Sequence, residues 1–149
     1  PVSPHLAARR AGIEVELETV RAWVDQHSAE WVLRDSGGGL VSPPARNPTN
    51  PHPAKALNPD ALLLVALDRL GVLHDVAACQ LALRLGFTPA PPPTLVVLQT
   101  PALLDASTGT NAPELRLLGT AAQVFVMPRG APTSPECQLA AKAILSCFT

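Results

Sequence analysis

The polar run from Asp105 to Asn111 is where this chain gathers side chains able to hold a ligand. Asp105, Ser107, Thr108, Thr110 and Asn111 offer a carboxylate, three hydroxyls and an amide within seven residues. Such groups grip a polar small molecule or a phosphate through hydrogen bonds. The run follows an apolar segment expected to be a strand, and ligands of open α/β sheets bind beyond strand C-termini. No lysine or arginine accompanies it before Arg116, and neither GxxxxGK[ST] nor GxGxxG occurs in the sequence. The bland alternative is a turn rich in Ser, Thr and Asn.

Other reactive side chains form weaker groupings. Gly37 to Gly39 sits after an expected helix rather than a strand, so helix termination explains it better than phosphate binding. His5, His27, His52 and His74 lack the i, i+4 spacing of a helical metal site, and no metal or cofactor is expected. His74 and Cys79 fall on different sides of a helix, which excludes them as a nucleophilic pair. Glu14 and Glu18 read as a solvated acidic face relieved by Arg21. No GxSxG elbow is present.

Composition narrows the function classes. The 149 residues are 47% hydrophobic and 15% charged, which favours one folded domain and leaves little charge to solvate a free surface. A net charge of −1 gives no electrostatic footprint for nucleic acid. A helix-turn-helix reading of residues 58–86 fails because Arg84, the lone cation of its second helix, stands at the wrong end for reaching bases. Three cysteines, Cys79, Cys137 and Cys147, make no disulfide framework and fit a reducing compartment, cytoplasm or nucleus. Arg9 and Arg10 without an acid in residues 1 to 13 leave an organelle matrix open. The longest apolar region is divided by Asp68, Arg69, His74, Asp75 and Arg84, so no membrane span is expected.

These groups need elements to position them. Asn58-Pro59-Asp60 has the chemistry of a helix start, and the apolar run Ala61 to Leu70 is expected to be a core helix. A second helix follows Gly71, capped by His74 or Asp75 and stopped by Gly86. Ser3-Pro4 starts a short helix to Gly12, and helical spacing runs from Ile13 to Leu33. Pro/Gly-rich residues 36–57 and the proline-rich residues 88–93 read as connectors. Thr94 to Gln99 and Gln123 to Met127 are expected to be buried strands, Ala112 to Leu118 a short helix, and Ser134-Pro135-Glu136 the start of a final one.

The expected fold is a single α/β domain, mostly helical, with helices packed on a small parallel sheet of two or more strands. The leading function is a non-catalytic interaction or scaffolding subunit of a larger assembly, because apolar surface is plentiful and no catalytic constellation is complete. Trp23 and Trp31 are the candidate interface anchors if they are not packed inside, and other protein subunits are the expected partners. The alternative is a small-molecule or phosphate-binding α/β domain, enzymatic or not, that uses Asp105 to Asn111, with or without residues from another chain.

Overall fold

The computed structural model describes residues 2, 4–14, 16–27, 29–35 and 53–148. The glycines at 37–39, His52 and most of the proline-rich residues 36–57 lie outside them, as does the side chain of His5. The chain divides into two compact units, Pro1–Pro59 with Leu85–Pro89, and Asp60–Arg84 with Ala90–Thr149.

The first unit contains the helices α1 (Pro4–Ala11), α2 (Leu17–Asp25) and α3 (Pro53–Ala56). Ala8 and Val24 are buried in it. The helix expected from Ile13 to Leu33 is shorter than its periodicity suggested, ending at Asp25, because only Ala29 is apolar between Val24 and Trp31 and the stripe is interrupted there. Trp31 therefore lies beyond the helix that carries Trp23, and the two are 47% and 62% exposed. Trp23 stacks against His27 at 4.5 Å between ring centroids, and its carbonyl accepts a hydrogen bond from Nδ1 of His27.

The second unit is a three-stranded parallel sheet with helices on both faces. Its strands are β1 (Leu62–Leu67), β2 (Thr94–Gln99) and β3 (Val124–Met127), in that spatial order. Its helices are α4 (Val72–Gly86), which runs on into the first unit, α5 (Asn111–Leu117) and α6 (Pro135–Leu145). The register aligns Leu62 with Thr94 and Leu67 with Gln99, then Val96 with Val124 and Gln99 with Met127.

The helix expected from Asn58 to Leu70 is a correction: this run is β1. Six apolar residues without a polar face suit a parallel strand as well as a buried helix, and periodicity alone does not separate them. Asn58 has φ of 44° and serves a turn rather than a helix cap. The helix begins after Gly71, whose φ of 93° is the left-handed conformation glycine adopts without strain. The strand at 94–99 and the final helix stand where the sequence puts them. Ser134 caps α6 by accepting from the Cys137 N–H, and Pro135 occupies the first turn.

Alternation along β2 divides the core. Val96 and Leu98 pack with Val72 and Val76 of α4 and with Ala112 and Leu115 of α5. Leu95 and Val97 face the other way, onto Ile144 of α6 with Phe125, Met127 and Phe148. Leu83, Leu95, Leu98 and Leu115 are fully buried, each contributing about 1.5–3 kcal/mol of hydrophobic stabilisation. The Arg116 guanidinium donates to the Val124 carbonyl and ties α5 to β3.

Candidate functional site

Parallel pairing brings all three strand C-termini to one end of the sheet. There the Asp68 N–H donates to the Gln99 carbonyl and the Thr100 N–H to the Met127 carbonyl, both at 2.9 Å, so the strand ends are zipped together. The loops that leave them part company. Those after β1 and β2 lead to α4 and α5 on one face, whereas the loop after β3 leads to α6 on the opposite face. Adjacent strands whose connections diverge mark the usual ligand crevice of open α/β sheets. By that rule the crevice belongs between the ends of β2 and β3, where the chain carries Gln99, Thr100, Arg129 and Gly130. Gln99 and Arg129 are exposed, and their side chains make no hydrogen bond to another described residue.

At Gly130 a side chain would meet the Ser134 hydroxyl at 3.2 Å and the Cys137 sulfur at 3.4 Å, so the bare backbone lets this loop turn closely over the start of α6. The Cys137 thiol is buried and donates to the Pro128 carbonyl.

The sequence-selected loop borders the other side of β2. Asp105 organises it: Oδ1 accepts from the Ser107 N–H at 2.8 Å, the Ser107 hydroxyl at 2.7 Å and the Thr108 N–H at 3.1 Å. Oδ2 accepts from the Leu70 N–H at 2.8 Å, in the loop after β1. The Leu70 hydrogen bond and then those of Ser107 and Thr108 hold the Asp105 carboxyl well below the usual carboxylate range. A carboxylate so well satisfied is a poor general base, and its role is to shape the loop. The Thr110 hydroxyl donates to the Ser107 carbonyl at 2.7 Å.

Asp68 is the residue that sequence reasoning missed. It follows β1 directly and is 1% exposed. Its Oδ2 accepts from the Gly109 N–H at 2.8 Å, its Oδ1 from the Asn111 amide at 2.7 Å, and its carbonyl from the Thr108 hydroxyl at 3.0 Å. Asp105, Ser107, Thr108, Thr110 and Asn111 are thus brought together as expected of one loop, but their polar atoms are turned largely on one another and on Asp68. An Asp placed immediately after an apolar strand is the signal that would have marked it, had the run been read as a strand.

Other candidates carry less chemistry. Burial, and then the nearby Asp75 charge, push the Cys79 thiol up, which disfavours the nucleophilic thiolate. Among the described residues no group of three His, Cys, Asp or Glu side chains could hold a metal ion. Within the first unit Glu14, Glu16, Thr19 and Val20 line a shallow surface depression, and in the second unit another includes Gln80, Arg84 and Thr120 rather than any residue of the strand C-termini. No described helix is long and apolar enough to cross a membrane.

Comparison with known proteins gives these features a context. The chain is 35% identical over 92 residues to the ATP-dependent dethiobiotin synthetase BioD of Nitrosospira multiformis, covering 56% of this chain and 40% of that protein. It is 48% identical over 50 residues to the mitochondrial bifunctional dethiobiotin synthetase/7,8-diamino-pelargonic acid aminotransferase of Oryza sativa subsp. japonica, covering 29% of this chain and 6% of that protein. The chain therefore spans less than half the length of these curated relatives. No family model and no solved structure matches it. These likenesses overturn the expectation of a non-catalytic scaffolding subunit serving complex assembly: both relatives are enzymes, and the ligand-binding alternative is the better supported of the two readings.

Proposed function

We propose that this chain is the nucleotide-handling part of an ATP-dependent synthetase of the dethiobiotin type. The observation that carries the reading is the divergence of the connections after β2 and β3, which puts Gln99, Thr100 and Arg129 at the C-terminal end of a parallel sheet where ligands of such folds bind. The likeness to an ATP-dependent dethiobiotin synthetase supplies the ligand class.

In this reading the amide of Gln99 pairs with the hydrogen-bonding edge of the base, since it both donates and accepts. Arg129 offers charge to the phosphates. The loop carrying Asp105, Ser107, Thr108, Thr110 and Asn111 forms the wall of the site on the β1 side. The sequence contains no P-loop, so further polypeptide of the enzyme completes the phosphate cradle, and that polypeptide rather than nucleic acid is the partner. Free Cys79, Cys137 and Cys147 suit a reducing compartment, and the rice relative's name places that protein in mitochondria.

Displacement of a fluorescent ATP analogue tests the reading. Unlabelled ATP should compete for the chain, and Gln99→Ala and Arg129→Ala should each weaken the analogue by roughly tenfold, the loss of one or two good polar contacts. Binding that neither substitution alters would remove the crevice from the account.

A further inference from the structure

We infer that Asp68, which does not border the crevice, is a positioning residue that holds it open. Its buried carboxylate and carbonyl, together with the Asp105 carboxylate, clasp the loop after β2 to the loop after β1 and so draw it away from β3.

The clasp is reciprocal. Asp68 takes hydrogen bonds from Thr108, Gly109 and Asn111 of the second loop, and Asp105 of the second loop takes one from Leu70 of the first. Each loop therefore supplies an aspartate that accepts a backbone N–H of the other. The loops after β1 and β2 head for the same sheet face, so bridging them closes a gap where no crevice is needed. The loop after β3 heads for the opposite face and is left out of the bridge.

Asp68 suits this work because it sits at a strand end and cannot swing outward without stranding two donors, the Gly109 N–H and the buried Asn111 amide. Among the described residues no lysine or arginine pairs with its carboxylate, which is held by a backbone and an amide donor.

One structural consequence is independent of any ligand: residues 68–71 and 105–111 open together. The functional consequence rests on the nucleotide reading above, because a loosened loop collapses toward the crevice and weakens ATP.

Amide hydrogen exchange by NMR on the full chain, with ATP affinity measured on the same samples, tests both. In Asp68→Asn one of the two donors faces an NH2 group, and the Gly109 and Leu70 amides should both exchange about tenfold faster or more, as expected when the hydrogen bonds that protect them open. The Val97 and Leu98 amides should stay protected. ATP should bind about tenfold more weakly, as a displaced site wall implies.

Combining Asp68→Asn with Asn111→Asp should recover part of both effects, because the oxygen of the introduced amide can accept from Gly109 while its nitrogen donates to the new carboxylate. Thr108→Val, which leaves the Asp68 carboxylate intact but removes the hydroxyl that bonds the Asp68 carbonyl and, within its own loop, Asp105, should speed the same two amides by a few-fold and decides the matter if Asp68→Asn does not fold. Acceleration at Gly109 with Leu70 unchanged would overturn the clasp. Joint acceleration with ATP affinity unaltered would reduce Asp68 to a structural residue and overturn its positioning role. If the unsubstituted chain binds no ATP, it is the nucleotide reading that falls, and the coupled exchange still decides the clasp.

Discussion

The Asn111 amide donates to Oδ1 of Asp68 at 2.7 Å, across 43 residues of sequence and out of contact with solvent. The same amide also donates to the Ser107 carbonyl at 3.0 Å. Truncating it leaves a buried carboxylate oxygen without its donor. Asn111→Ala should therefore lower unfolding stability by about 1–3 kcal/mol, the cost of an orphaned buried polar group. A urea midpoint unchanged at constant slope would show that water replaces the amide.

Asp105 has its carboxyl held low, first by the Leu70 N–H and then by Ser107 and Thr108. A depressed folded-state value means stability that is present in full above the ordinary carboxylate range and lost as pH falls through the lower folded value. The loop should therefore keep its arrangement through mild acid and release only in strong acid. The carboxyl carbon chemical shift of Asp105, followed by NMR from neutral pH downward, should stay at its ionised position at pH values where free aspartate is already half protonated. Asp105→Asn should abolish the titration and speed exchange of the Leu70 amide.

The three cysteines should react in an order set by burial and charge. Cys147 is exposed, Cys79 is half-buried with its thiol pushed up, and Cys137 is buried against the Pro128 carbonyl. Iodoacetamide at mildly alkaline pH should label Cys147 first, Cys79 more slowly and Cys137 only on unfolding. Mass spectrometry of timed samples checks the order, and early labelling of Cys137 would show that the start of α6 opens.

Leu115 and Leu117 stand two residues apart on α5 with opposite fates, the first fully buried and the second 80% exposed. Leu115→Ala should cost about 2–5 kcal/mol by opening a cavity between α5 and β2. Leu117→Ala should stay within about 0.5 kcal/mol of the parent. Denaturant titration of both separates the packed face of the short helix from its free one.

Much of the second unit could be read from the chain because local signals were unambiguous there. Thr94 to Gln99 is an apolar, β-branched run bounded by prolines, and Ser134-Pro135-Glu136 is a helix start whose cap hydrogen bond is present. Leu62 to Leu67 was misread for want of such punctuation: its side chains carry no alternation, and only pairing with β2 distinguishes strand from helix. That error concealed Asp68, since an aspartate inside a helix is unremarkable whereas one at a strand end is poised to hold a loop. The loop from Asp105 to Asn111 was visible as a polar cluster, but its main partner lies some forty residues earlier and appears in no local pattern.

The functional expectation failed for a related reason. A sheet end becomes a site through the direction in which its loops depart, and this depends on which face each helix covers. Exposed apolar residues such as Leu63 and Val65 on β1, 42% and 64% accessible, say nothing about chemistry.

Amide chemical-shift mapping during an ATP titration tests the central claim most directly, because it reports weak binding residue by residue. The account predicts saturable shifts at Gln99, Thr100, Arg129 and Gly130, with smaller ones along 105–111 as the wall responds. Shifts confined to the far end of α4 and α5 near Arg84 and Thr120, or no saturable shift at all, would contradict it.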